Sequence, residues 1–386
     1  MSNSQTSQSE IIATSTKEAV AERRQVKRII IAGGGTGGHI FPAIAIANAL
    51  KEIDPTLEIL FVGAKGKMEM EKVPQAGYAI KGLTISGFNR SSLIKNWSLP
   101  FKLFISYFEV KKILASFKPD AIIGVGGYST YPVLTAGNRN GIPTYIHESN
   151  SFAGKSNVLL GKNATKVFVA GEGMERFFPK EKLMITGNPV RSSIAYSTNT
   201  KKEALDFFGL KEGKQTVLIV GGSLGAKSMN EAIAVSLNRI EEAGLQIIWQ
   251  TGKTNANQYK EAAKGKSFIW VNEFITQMEM AYTAADIVVS RSGAMAVSEL
   301  CVVGKPSIFV PYPFAAEDHQ TANAMALVEK DAALIVKDSD VNQNLVSTVI
   351  HLSKDVERML ELKKHIRLLG KTNADEVIAR EVLGYK

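Results

Sequence analysis

One local pattern occurs twice in this chain, and it decides the fold class. Arg28-Ile-Ile-Ile-Ala32 runs into Gly33-Gly34-Gly35-Thr36-Gly37-Gly38, and a helical pattern follows from about Pro42 to Lys51. Thr216-Val-Leu-Ile-Val220 runs into Gly221-Gly222-Ser223-Leu224-Gly225-Ala226, with a helical pattern from about Ser228. A short β-branched run predicts a buried parallel strand, the glycines permit a tight turn, and the helix returns across the sheet. Further apolar runs at 57–62, 121–125, 144–147, 246–249, 267–271 and 286–289 alternate with helical stretches. The prediction is an α/β protein with two doubly wound parallel sheets, each opened by one copy of the repeated unit. At 386 residues the chain is long enough for two such cores. Turn residues and a polar Ser/Thr/Asn run between Gly187 and Lys202 mark the divide. The expected organisation is a mobile tail over 1–25, a first domain over 26–190 and a second over 191–365. A C-terminal helix over 366–386, part of a helical pattern spanning Leu360–Tyr385, is expected to pack back on the first domain.

Composition removes several classes. A single cysteine, Cys301, excludes a disulfide framework and a cysteine-rich metal site, and points to a reducing compartment. Residues 1–25 lack the apolar run of an export signal. The 22 uncharged residues between Arg28 and Lys51 have the length of a membrane span, but five glycines, Pro42, Asn48 and His39 favour strand, loop and helix. The net charge of +9 implies an anionic partner. Most of the excess lies between Lys81 and Lys118, where seven basic residues face one acid, Glu109. Aromatic and aliphatic residues interleave with them, among them Leu93, Ile94, Trp97, Phe101 and Phe104, with Lys102 in their midst. No RNA-binding fingerprint accompanies this stretch, so a nucleic-acid partner is not expected. An interfacial segment lying on an anionic membrane is the favoured reading. A core helix with lysines on its solvent face is the competing one.

The glycine loops carry the chemistry. Gly33–Gly38 formally satisfies the dinucleotide pattern, yet the second strand ends Phe61-Val62-Gly63-Ala64 without the carboxylate that holds a ribose, so NAD is not expected. The loop instead offers amides to an anion at a helix N-terminus. His39, at that positive helix end, is disfavoured as imidazolium and is a candidate general base. The plainer reading is a tight turn carrying an exposed histidine. Gly124-Val125-Gly126-Gly127-Tyr128 and Gly221–Ala226 repeat the geometry after other strands. Gly154-Lys155-Ser156, Gly252-Lys253-Thr254 and Gly370-Lys371-Thr372 lack the upstream glycine of a P-loop. Ser290-Arg291-Ser292-Gly293-Ala294-Met295 opens another helix, which carries Glu299, a carboxylate able to accept both hydroxyls of a ribose. Asp338-Ser339-Asp340 reads as a helix N-cap in preference to a metal-binding pair, and no metal site is expected.

Seven motifs stand in a particular order: Gly35-Thr-Gly-Gly-His-Ile-Phe-Pro42, Gly126-Gly-Tyr-Ser129, His147-Glu-Ser-Asn150, Gly187-Asn-Pro-Val-Arg191, Gly221-Gly-Ser-Leu-Gly-Ala226, Arg291-Ser-Gly-Ala294 with Glu299, and Asp318-His-Gln-Thr-Ala-Asn-Ala324. In that order they resemble the bacterial enzymes that add N-acetylglucosamine to lipid I in peptidoglycan synthesis, the MurG family. The resemblance covers about residues 26–385; Ser149 departs from it, standing where glutamine is more usual. It implies a GT-B fold, two Rossmann-like domains around a cleft, and an inverting transfer from UDP-N-acetylglucosamine to lipid I that gives lipid II. By resemblance Ser223, Arg191, Ala294 and Met295 meet the donor diphosphate, with Thr36, Gly37 and Gly38 near it. Glu299 holds the ribose, Phe274–Ile275 meets the uracil, and Gln320 and Asn323 contact the sugar. The acceptor diphosphate lies near Thr36, Gly37, Gly38, Gly126, Gly127 and Tyr128, and His39 is the candidate base, supported by Glu148 and Asn150. No cofactor beyond the donor substrate is implied. The implied location is the cytoplasmic face of the inner membrane, bound peripherally, with other cell-wall synthesis proteins as partners and roles in cell shape and division. Two other readings compete. A GT-B transferase with a different lipid or small-molecule acceptor is disfavoured by the motifs at 35–42 and 147–150. A non-catalytic nucleotide-sugar-binding protein is disfavoured by His39 beside a complete set of donor residues.

Overall fold

The first half of the chain supplies β1 (Arg28–Ala32), β2 (Glu58–Ala64), β3 (Ala79–Leu83), β4 (Ala121–Gly124), β5 (Thr144–Glu148), β6 (Lys166–Val169) and β7 (Leu183–Ile185). They pair in parallel throughout, in the order β3-β2-β1-β4-β5-β6-β7. The second half supplies β8 (Thr216–Val220), β9 (Gln246–Gln250), β10 (Ile269–Asn272), β11 (Ile287–Ser290), β12 (Ser307–Phe309) and β13 (Leu334–Ile335). Their order is β10-β9-β8-β11-β12-β13, again all parallel. This computed structural model describes residues 26–85, 99–222 and 224–385. The tail over 1–25, together with Leu93, Ile94, Trp97 and Ser223, lies outside the described residues.

Both sheets wind outward in one direction and then jump back across their first strand. Their switch points therefore lie between β1 and β4 and between β8 and β11. Ligands bind in open α/β sheets in the crevice beyond such points. The loops leaving these four strands are those of Gly33–Gly38, Val125–Tyr128, Gly221–Ala226 and Arg291–Gly293. Ile29, Ile30, Ile31 and Ala32 are fully buried, as a strand covered on both faces requires. Ile40, Ile46 and Leu50 of the helix Gly37–Ile53 cover one face of the first sheet, and Ile378, Ala379 and Val382 of the helix Ala374–Leu383 join them in the same cluster.

Several boundaries differ from the expected ones. The first helix begins at Gly37 and not near Pro42, because burial of Ile40 outweighs the weak helix propensity of two glycines. Pro42 consequently sits inside the helix, where it leaves the Gly38 carbonyl without its helical donor. β10 starts two residues later than expected, since Ile269 N–H donates to Lys266 C=O in a turn. The helical stretch Leu360–Tyr385 is broken. Val356–Leu368 packs in the second domain through Ile366, and the last helix starts at Ala374 instead of 366. Gly370 lies in the break, where a Cβ would come within 2.7 Å of the Cys301 carbonyl oxygen. β3, β6, β7, β12 and β13 were not anticipated; at two to five residues each they are too short to show a period. No helix among the described residues is long and apolar enough to cross a membrane.

Candidate active site

At the first switch point two loops interlock. Gly33 N–H donates to Val62 C=O, Gly34 N–H to Gly126 C=O, and Gly35 N–H to the Glu69 carboxylate at 2.8 Å. Gly127 fits only as glycine, because a Cβ there would lie 2.3 Å from the Gly34 carbonyl oxygen at a φ of +91°. Thr130 clamps the pair, its hydroxyl lying within hydrogen-bond distance of both Ala32 C=O and Gly126 C=O. Close packing thus explains several glycines that the sequence reading gave to ligand approach. The amides of Thr36, Gly37 and Gly38 donate to no protein acceptor among the described residues and point outward from the helix start. Tyr128 stands half-exposed beside them.

His39 lies on the first turn of that helix. Its Nδ1 is 3.0 Å from Gly34 C=O, and a carbonyl can only accept, so Nδ1 carries the proton and Nε2 keeps its lone pair. The ring edge holding Nε2 rests over Gly126, where a Cβ would approach Nε2 to 2.8 Å. Burial holds the imidazole below its ordinary value. The Gly34 hydrogen bond and the Glu148 charge oppose that shift, while His319 of the second domain adds to it. His39 is thus neutral at pH 7, with a free base lone pair at the cleft. Next to it His147 is buried, and burial pushes it down to about 4 against the opposing effect of Asn188 and the Gly187 backbone.

Glu148 is a scaffold. Its Oε1 accepts from the Asn150 backbone and side chain at 3.0 and 3.2 Å, and its Oε2 from Gly154 N–H and Asn157 Nδ2 at 3.0 and 2.8 Å. A buried carboxylate with four donors holds the loop 149–154 in place, and its charge acts on His39. Asn150 and Ser151 are bridged to the second domain: Asn323 Oδ1 accepts from Ser151 N–H at 2.8 Å, and Asn323 Nδ2 donates to Asn150 Oδ1 at 3.2 Å. Asn188 ties Ser149 C=O to the Ser298 hydroxyl, both at 2.9 Å.

Across the cleft, the helix Ala294–Val303 starts at Gly293, and the amides of Ala294 and Met295 donate to no protein acceptor among the described residues. Glu299, in its second turn, is buried and paired with Arg191, whose Nε and NH2 reach Oε1 at 3.1 and 2.9 Å. Arg191 also lies over the Phe41 ring of the first domain. Arg291 is committed elsewhere: it donates to Asp338 at 2.6 Å and to the Val310 and Pro311 carbonyls. Asp338 is therefore an arginine and Ser228 anchor, and the expected side-chain cap at Asp338–Asp340 is absent. Gln320 Oε1 accepts from Tyr312 N–H, which sets the turn before its helix.

Three positioning residues escaped the sequence reading. Glu69 holds Gly35 and Ala64 by their amides. Gln250 joins the second glycine loop, through Gly222 C=O, to Ile275 N–H. Tyr282 donates to Glu299. Each acts between distant parts of the chain, and no local motif advertises such contacts.

The helix Leu99–Phe117 shows its aromatic face to solvent. Phe101, Phe104, Tyr107 and Phe108 are exposed while Ser106, Val110 and Leu114 are buried, so the helix packs on the core by one face and carries aromatics together with Lys111 and Lys112 on the other. Lys111 extends over the Tyr107 ring.

Residues 29–169 match the glycosyltransferase family 28 N-terminal domain, and residues 216–380 match its C-terminal domain. A UDP-N-acetylglucosamine–N-acetylmuramyl-(pentapeptide) pyrophosphoryl-undecaprenol N-acetylglucosamine transferase of Parabacteroides distasonis is 48% identical over 359 residues, covering 92% of this chain and 97% of its own. The protein of the same name from Phocaeicola vulgatus is 50% identical, covering 92% and 95%. Among solved structures, Acinetobacter baumannii MurG superposes with a TM-score of 0.77 at 28% identity, covering 93% of this chain and 99% of its own. A UDP-GlcNAc 2-epimerase from Neisseria meningitidis shares the fold at a TM-score of 0.64 and 15% identity.

Proposed function

The chain belongs to glycosyltransferase family 28, and we propose that within it the protein transfers N-acetylglucosamine from UDP-N-acetylglucosamine to the muramyl 4-hydroxyl of lipid I, giving lipid II. One arrangement carries this reading. His39 and the open amides of Thr36–Gly38 stand at one switch point, the open amides of Ala294–Met295 at the other, and Asn323 already spans the gap.

The acceptor hydroxyl attacks the anomeric carbon, the bond from that carbon to UDP breaks with inversion, and the proton passes to His39 Nε2. Charge then develops on the departing diphosphate. Fixed amide dipoles at Ala294 and Met295, joined by Arg191 once the nucleotide displaces it from Glu299, stabilise that charge selectively. Glu299 receives the ribose, Ile275 the uracil, and Gln320 and Asn323 the sugar. The acceptor diphosphate takes the Thr36–Gly38 amides beside Gly126–Tyr128. Assay of UDP release from UDP-N-acetylglucosamine with a soluble lipid I analogue tests the proposal. Release is expected to depend on the analogue; release indifferent to it, or absent, would reject the transferase reading.

The exposed aromatics of Leu99–Phe117 support peripheral attachment to the cytoplasmic leaflet, where a polyprenyl acceptor resides. Phe101→Ser/Phe104→Ser/Phe108→Ser, combined with Lys111→Glu and Lys112→Glu, is expected to cut binding to phosphatidylglycerol vesicles by about ten-fold or more. Unchanged co-sedimentation of this variant would remove the helix from the membrane contact.

A further inference from the structure

Glu299 has two oxygens in two different situations. Oε1 is held by Arg191, a side chain about two-fifths exposed and able to leave. Oε2 accepts a 2.9 Å hydrogen bond from Tyr282, which is 4% exposed and built into the core of the second domain. When a ribose takes over Oε1, Arg191 must let go, and the carboxylate keeps one protein partner. A carboxylate that is 7% exposed does not hold one rotamer against a departing arginine unless something fixes its other end.

We propose that Tyr282 is the positioning residue for nucleotide recognition: its hydroxyl locks Oε2 of Glu299, so that Oε1 is presented to the ribose hydroxyls when Arg191 moves off. This rests on the reading that Glu299 receives the ribose. Burial, and then the adjoining carboxylate, push the Tyr282 phenol well above its ordinary value, so it remains a donor throughout the working pH range. Tyr282 does not touch the nucleotide. Its effect appears as ribose selectivity, because a fixed acceptor discriminates sharply against a ligand lacking the matching hydroxyl.

Calorimetric titration of the full chain with UDP and with 2′-deoxy-UDP tests this, using native protein, Tyr282→Phe and Glu299→Gln. Native protein is expected to prefer UDP, and Glu299→Gln to lose most of that preference. Tyr282→Phe is expected to weaken UDP binding about ten-fold and 2′-deoxy-UDP binding less than about two-fold. Placing 4-aminophenylalanine at 282, which restores a weaker donor, should recover an intermediate preference. Equal weakening of both ligands in Tyr282→Phe, with Glu299→Gln behaving as expected, would show a purely structural tyrosine and overturn the proposal alone. An undiminished preference in Glu299→Gln would instead remove the ribose from Glu299 and the proposal with it. Should Tyr282→Phe not fold, the 4-aminophenylalanine protein decides by itself: a native preference rejects the role, and a reduced one supports it.

Discussion

His39→Ala is expected to lower kcat by about two to four orders of magnitude at saturating donor and acceptor. The KM for UDP-N-acetylglucosamine should stay within about two-fold, because the ring acts on the acceptor hydroxyl and not on the nucleotide. The size follows from the tautomer. Gly34 C=O engages Nδ1–H, which leaves the Nε2 lone pair at the cleft, and the neighbouring His147 does not substitute for it. His147 lies too deep: it is 1% exposed. The pH profile provides a second check. Burial lowers the His39 value below 6.5, so the neutral, active ring predominates above that pH and protonates only on further acidification. The acid limb of kcat/KM should therefore fall below pH 6.5 in the native enzyme and disappear in His39→Ala. A variant retaining more than about a tenth of native kcat would leave His39 as an orienting group, with leaving-group stabilisation carrying the reaction.

Gly127→Ala should cost about 3 kcal/mol of stability. Part of this is the left-handed φ, worth roughly 1–2 kcal/mol for a residue with a Cβ. The rest is overlap, since the methyl would be forced against the Gly34 carbonyl and the interlocked loops would have to separate. Gly141→Ala is the control: its φ is +68°, but no atom lies within 4 Å of the added Cβ. It should lose only the conformational part, about 1 kcal/mol. Urea unfolding of the two variants measures the difference. Equal losses would mean that the loops yield to the methyl without strain.

The repeated strand–glycine–helix unit was legible in the sequence apart from the start of its first helix, and in the structure its two copies lie at the switch points of the two sheets. The placement of His39 and of the amide-bearing helix starts was legible too, since glycines after a strand mark where a helix begins. Glu148 was legible in position but not in its hydrogen bonding. Its four donors come from residues up to nine places away whose folding depends on it. Asp338 read as a cap because caps are local, whereas its partner Arg291 is 47 residues distant. The break at Leu369–Asn373 was hidden for a related reason. Gly370 there lies close against the Cys301 carbonyl, a contact of which helical periodicity carries no trace.

Gly34, Gly63 and Glu69 occupy one small volume. A Cβ at Gly34 would lie 2.3 Å from the Glu69 carboxyl carbon, and one at Gly63 would lie 2.4 Å from its Cγ. None of the three can drift separately. A side chain gained at 34 or 63 evicts the carboxylate that anchors Gly35, and a glutamate shortened or lost at 69 leaves a hollow beside both, although Gly34, at a φ of +144°, still favours glycine. Mutational change at these positions is coupled, so descent can alter them only as a set. The first loop is inherited together with the helix that begins at Glu69, 34 residues beyond Gly35.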